Sequence, residues 1–301
     1  MPNRRGVEVV RALASQVKPT FMLPAIGMAA FGGLLAPVVS PTTFALHVGG
    51  VGLALYVAHL VDEYVDTYVR GEEEPAASRR VLALGVVLAS VGFLALLLAL
   101  ASTAGPLAGL SLLPLWILAL LHAPVLDRNT VAVTADYPTG IAVALCGGFL
   151  TQTGRLPPLV VALAAVFLVL LSGVKVAVDR LDVAFDRTVD KRTVPVVLGD
   201  RRAARAATGI LAGAGALVLG FVAVGVLPGF AATAAAFSLG MAVGCVAAGK
   251  RRAVRVAILL TYPFAAALFL AACPETGCGP IRVAAEHAFG LTERTFPPGY
   301  L

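Results

Sequence analysis

Two carboxylate clusters carry the first chemical signal. One runs His59-Leu60-Val61-Asp62-Glu63-Tyr64-Val65-Asp66-Thr67-Tyr68-Val69-Arg70, followed by Gly71 and Glu72-Glu73-Glu74. On a helix at about 100° per residue, His59, Glu63, Asp66 and Arg70 share an arc of about 60°, with Asp62 about 40° beyond it. The other holds Lys175, Asp179, Asp182 and Asp186, again within about 60°, and then Asp190, Lys191 and Arg192. Like charges stacked on one helix face repel unless something positive sits between them. Two such helices facing each other would build a cage of hard oxygen ligands. Magnesium suits that cage, because it takes a few carboxylates and completes its shell with water and phosphate oxygens. Lys18, Arg70, Arg128, Lys175, Lys191 and Arg192 would neutralise a diphosphate. The matching chemistry is ionisation of an allylic diphosphate, with metal ions stabilising the leaving group and a nucleophile meeting the cation. Glu72, Glu73 and Glu74 read instead as a solvated loop.

The elements that must position these groups are apolar. Of 301 residues, 59% are hydrophobic and 13% charged, against about 25% charged in soluble domains. Mean hydropathy is +0.90. A soluble enzyme, a disordered chain and a nucleic-acid binder are excluded, and a polytopic protein of the lipid bilayer is expected. Nine apolar runs are legible: Thr20–Val39, Phe44–Val61, Val81–Ala101, Pro106–Leu126, Val131–Leu150, Pro158–Val178, Ala206–Val226, Phe230–Ala248 and Ala253–Ala272. Each reads as a helix, since a single segment in lipid satisfies its backbone no other way. The carboxylate clusters end the second and sixth runs. No linker is long enough to separate a soluble domain, so residues 1–301 read as one domain.

Basic residues orient the chain. The N-terminus and the loops after the second, fourth, sixth and eighth runs hold 20 of them, and the opposite side holds Arg155, Arg282 and Arg294. The expected fold is therefore an all-α bundle of nine transmembrane helices around a central cavity. Its N-terminus is expected in the cytoplasm and its C-terminus outside. The first run is too long for the core of a signal peptide. Arginine outnumbers lysine 19 to 4, which suggests a GC-rich genome; the expected location is the plasma membrane of a prokaryote. Of the four cysteines, Cys146 and Cys245 fall inside spans. Cys273 and Cys278 are close enough to pair outside the cytoplasm.

At this point the residues take on a family likeness. The stretch Asp179-Arg180-Leu181-Asp182-Val183-Ala184-Phe185-Asp186-Arg187-Thr188-Val189-Asp190-Lys191-Arg192-Thr193-Val194-Pro195-Val196-Val197-Leu198-Gly199 resembles the second aspartate motif of the UbiA superfamily of intramembrane prenyltransferases. That motif is a DxxDxxxD core with a K-R-T-[LV]-P-V-x-L-G tail. Asp62, Glu63 and Asp66 are similar to the family's N-D-x-x-D, and Lys18-Pro19-Thr20 resembles its basic-Pro lead-in. The resemblance implies a nine-helix bundle with a central cavity and two magnesium ions bridging a prenyl diphosphate between the motifs. Glu63, Asp66, Asp182 and Asp186 would ligate metal, with Asp179 supporting. Lys175, Lys191 and Arg192 would contact the diphosphate, with Arg128 in a loop where many members carry a base. Where the family's motif opens Asn-Asp, this chain has Asp62-Glu63, so Asp62 is a candidate metal ligand, base or acceptor-directing group. Four residues after Asp66 stands Arg70, and six after it Glu72.

The partners implied are a prenyl diphosphate and a lipophilic acceptor, a quinone precursor or another membrane lipid. Candidate acceptor groups are Asp62, Asp136 inside the fifth run and His59 one turn before Glu63; for His59 a structural hydrogen bond is the stronger reading. His47, His122 and Trp116 read as helix-end or interface residues. Two alternatives are kept. A terpene cyclase would use the same ionisation without a second substrate. A cation-coupled transporter would need ionisable groups near the bilayer midplane, whereas here they crowd the cytoplasmic ends. No P-loop, dinucleotide fingerprint or zinc spacing supports an ATPase or redox enzyme.

Overall fold

The structure, a computed structural model, describes residues 4–71, 74–75, 77–189 and 191–279. Among these residues there are only helices and connecting turns. In order they are α1 (Arg4–Ser15), α2 (Pro19–Leu34), α3 (Pro41–Val65), α4 (Arg79–Ala104), α5 (Pro106–Leu110), α6 (Leu113–Leu121), α7 (Thr130–Thr153), α8 (Pro158–Thr188), α9 (Val194–Leu198), α10 (Asp200–Ala223), α11 (Ala232–Ala247) and α12 (Lys250–Thr276). Eight of the nine apolar runs each coincide with one long helical segment, and the fourth is divided between α5 and α6.

Among the described residues seven helices are long and apolar enough to cross a membrane, or eight if α1 and α2, bent by 60° against each other, make one span. Two runs fall short of the expected length for physical reasons. The first ends as helix at Leu34, before the turn that Pro37 helps to form. The fourth breaks between α5 and α6, because the ring of Pro114 would strike the Leu110 carbonyl in a continuous helix. The sixth runs the other way and overshoots. α8 continues unbroken through all 31 residues to Thr188, about 46 Å at 1.5 Å per residue. The lipid hydrocarbon layer is about 30 Å thick, so the acidic ladder rides on the projecting end of a spanning helix.

Where helices press backbone to backbone, only glycine fits. A Cβ on Gly32 in α2 would lie 2.0 Å from the Leu145 carbonyl oxygen of α7, and one on Gly148 in α7 would lie 2.2 Å from the Ala29 oxygen of α2. This is the small-residue seam that packs helices in lipid, where no hydrophobic force draws them together. Leu163, Phe167, Leu211 and Phe264 are fully buried in the core shared by α7, α8 and α10–α12. His47, expected at an interface or helix end, is instead buried in α3, where its Nε2 donates to the Ala144 carbonyl of α7 at 3.0 Å. Trp116 stacks on Phe93 and donates to Ser90 at 3.0 Å. Cys273 and Cys278 form a disulfide, Cα to Cα 5.2 Å. The Cys278 and Gly279 amides donate to the carbonyls of Leu35 and Ala36, which fastens the end of α12 to the end of α2.

Candidate active site

α3 does not end as an α-helix. From Asp66 to Arg70 it widens into a π turn, closed by the Gly71 amide donating to the Asp66 carbonyl. Such turns recur at functional sites because they re-aim side chains without breaking the helix. Here the turn still lets Arg70 reach back to Asp66 at 2.9 Å. The same guanidinium donates to Asp127 at 3.2 Å and to the Ala123 carbonyl at 2.6 Å. Glu63 and Asp66 are buried, and Asp62 is half-buried with its Oδ1 sealed from solvent and unpartnered.

Asp127 is the residue that sequence reasoning missed. It lies in a short turn, Leu126–Arg128, between α6 and α7 and is 1% exposed. Its carboxylate takes Arg70 from the first motif and Lys191 from the second, the latter at 3.4 Å. Its carbonyl accepts the Arg192 amide at 3.2 Å, and its own amide donates to His122. One carboxylate thus draws three segments of distant sequence to one point. Arg128, the neighbour singled out from the sequence, is exposed. The only sequence signal for Asp127 is an acid in a short loop on the cation-rich side.

Lys191 is the electrostatic centre. Burial works against its charge, but Asp127, Asp62 and Asp66 outweigh that and hold its pKa above the ordinary lysine value. It also acts on Asp186, together with Lys175. The charge of Lys191 therefore couples to carboxylates of both motifs. In the second motif Asp186 is buried and accepts from the Thr193 hydroxyl at 2.8 Å. Asp179 is buried and paired with Lys175, one turn away. Asp182 and Arg192 are exposed, and Lys18 is half-buried at the start of α2. Tyr56 and His59 of α3 hold that corner by donating to the carbonyls of Leu13 and Gln16, each at 3.0 Å. The His59 bond matches the structural reading. Glu72 and Glu73 lie outside the described residues, and Glu74 is exposed.

Among the described residues no three carboxylate, histidine or cysteine side chains converge as a ready metal site. The donor chemistry nevertheless fits a hard cation. Asp62, Asp127 and Asp179 each keep a buried carboxylate oxygen with no hydrogen-bond partner. Buried polar atoms are rarely left so, and three anionic oxygens on the elements of one site suit magnesium.

Asp136 is buried in α7 and hydrogen-bonded to His122, at the end of α6, and to the Tyr137 amide. Burial works against the charged imidazole, yet the hydrogen bond and charge of Asp136, with Asp127 and Asp62 beyond, raise the His122 pKa. A raised folded-state pKa adds stability that is fully present below the unfolded value, near 6.5, and is lost as pH rises through the folded one. We expect melting in detergent to fall by a few degrees between pH 6.5 and pH 9, and His122→Gln to flatten that slope. An unchanged slope in the variant would assign the dependence to other groups.

The comparisons with known proteins fit this geometry. A structure of digeranylgeranylglyceryl phosphate synthase aligns at a TM-score of 0.70 and 12% identity, covering 88% of this chain and 99% of that one. A UbiA homologue from Aeropyrum pernix K1 aligns at 0.65 and 17% identity, over 84% and 98%. A UbiA homologue from Archaeoglobus fulgidus, bound to GPP and Mg2+, aligns at 0.65 and 14%, over 88% and 99%. At such identities the likeness concerns the fold. No curated protein matches the sequence significantly. The UbiA prenyltransferase family, however, matches residues 20–257, most of the chain. With its apolar helices and paired acidic motifs, this multi-pass membrane protein belongs to the UbiA prenyltransferase family.

Proposed function

We propose that the protein transfers a polyprenyl group from a prenyl diphosphate to a lipophilic acceptor, in a magnesium-dependent reaction at the cytoplasmic side of a prokaryotic plasma membrane. The observation that carries this reading is the meeting of Lys191 from the second motif and Arg70 from the first at Asp127, with the charges of Asp62, Asp66 and Asp186 close enough to act on Lys191 or be acted on by it. A diphosphate is the ligand that such alternating charge would hold. The binding of GPP and DMAPP with Mg2+ by the Archaeoglobus homologue supports the assignment.

In this reading Asp62, Glu63 and Asp66 on α3, and Asp179, Asp182 and Asp186 on α8, hold two magnesium ions. Bound magnesium supplies charge stabilisation for the departing diphosphate. Lys18, Arg128, Lys175, Lys191 and Arg192 bind the phosphate oxygens. Arg70 completes that set and, through Asp127 and Lys191, ties the first motif to the second. The apolar helices exclude water from the allylic cation, which an acceptor nucleophile captures with loss of a proton. Nine spans, with the N-terminus inside and the C-terminus outside, would place both motifs on the cytoplasmic face; the basic-residue asymmetry supports that arrangement.

The test is to incubate purified protein with labelled geranylgeranyl diphosphate, magnesium and a lipid extract of the host, and to identify the labelled product. A labelled cyclic hydrocarbon without acceptor would make the enzyme a cyclase instead. The first motif offers a finer test. Asp62→Asn should keep magnesium-dependent diphosphate binding and alter acceptor choice or turnover. Glu63→Gln should weaken metal and diphosphate binding about tenfold or more. Diphosphate affinity measured at several magnesium concentrations separates the two. The reverse pattern would shift the motif's register by one residue.

A further inference from the structure

A second charged constellation lies on another face of α8. Arg180 follows Asp179 directly, so it points about 100° round the helix from the acidic ladder. It lines a cavity of about 590 Å³ with Leu181, Gly249, Lys250, Arg251 and Arg252. Four cations thus share a pocket. The carboxylate that answers them, Asp200 at the start of α10, accepts from Arg180 Nε at 2.9 Å and pairs with Lys250 at 3.2 Å. The pocket keeps a formal excess of positive charge.

Two observations mark it as more than a solvated basic loop. The first is Arg180, which is 6% exposed, with a buried Nη1 that has no hydrogen-bond partner. A buried, unpaired guanidinium donor is unfavourable unless an acceptor arrives. The second is the start of α12. Its cap is Gly249, its first turn contains no acid, and the Lys250 and Arg251 amides precede the first bonds of the helix, which the Arg252 and Ala253 amides donate to the Gly249 carbonyl. A 27-residue helix presents positive potential at that end.

We propose that this pocket binds a phosphate group, presented either by an anionic lipid headgroup or by free phosphate. Arg180 would donate from Nη1, Lys250, Arg251 and Arg252 would balance the charge, and the opening of α12 would add backbone donors. Tetrahedral phosphate oxygens match a guanidinium fork. Leu181 is 41% exposed on the pocket wall, which gives a lipid-borne phosphate an apolar flank. The site is separate from the diphosphate site, because none of its lining residues belongs to the proposed catalytic set.

The experiment uses the full chain purified in detergent. Its melting temperature is followed with inorganic phosphate against chloride at equal ionic strength, with dioctanoyl phosphatidylglycerol, and with dioctanoylglycerol. The phosphate-bearing probes should stabilise the wild type, and dioctanoylglycerol should not. Arg251→Gln/Arg252→Gln should raise the half-saturating concentration about tenfold or more while prenyl transfer stays within about twofold. Arg180→Gln should abolish the response; if that variant does not fold, the double variant decides. A lipid probe acting at concentrations well below those of phosphate identifies a headgroup, and equal potency identifies a small anion. An undiminished response in the double variant, or the same shift with dioctanoylglycerol, would overturn the proposal.

Discussion

Asp186→Ala is expected to lower kcat/KM for prenyl transfer by about a thousandfold, which corresponds to roughly 4 kcal/mol of transition-state stabilisation. Asp186 is buried on the projecting end of α8 and oriented by the Thr193 hydroxyl, so its carboxylate is aimed before substrate arrives. Its removal matters most as the diphosphate departs, when negative charge on the leaving group is greatest. The structural loss is smaller. Thr193 would forfeit one hydrogen bond, worth about 1 kcal/mol, so the variant should remain folded and extractable. Asp182→Ala should act similarly, and exposed Glu74→Ala should change little. Activity of Asp186→Ala within tenfold of wild type would remove this residue from the metal site.

Asp127→Asn should be the most destabilising substitution near the site, by about 3–5 kcal/mol. The amide keeps the shape but loses the charge, leaving the partly buried cations of Arg70 and Lys191 without their shared counter-charge. Because both motifs are tied through this carboxylate, diphosphate affinity should fall along with stability. Unfolding in detergent measures the first and titration with a prenyl diphosphate the second. A double variant that also removes a cation, Asp127→Asn/Lys191→Met, should recover part of the stability while staying inactive. A single variant as stable as wild type would show that solvent already screens the pair.

Periodicity made most of this fold legible. Eight of the nine apolar runs each found one helix, because lipid leaves an isolated segment one solution. The ladder Lys175, Asp179, Asp182 and Asp186 was readable because α8 keeps an unbroken α repeat from span to site. The illegible features lack a repeat. Asp127 sits alone in a short loop, and its partners, Arg70 and Lys191, are joined to it only in space. Arg180 stood within a recognised motif, but its pairing with Asp200 depends on how α8 meets α10. The break at Pro114 was visible as a proline, yet prolines are tolerated elsewhere in these spans, as at Pro138 in α7, so its effect depended on its surroundings.

The π turn at Asp66–Arg70 has a consequence for insertions and deletions. A π turn holds more chain than the α turn it replaces. Loss of any one residue between Asp66 and Arg70 would tighten the segment toward α geometry, leave Arg70 three rather than four residues after Asp66, and shift its guanidinium round and along the helix. The bonds to Asp127 and the Ala123 carbonyl, which reach another segment, would be lost first, while Asp66 would stay within reach at the shorter spacing. Substituting exposed Val69 would leave all three in place. At this point of the chain, length is under tighter control than composition, and sequences of this kind should drift in residue identity there long before they tolerate a gap.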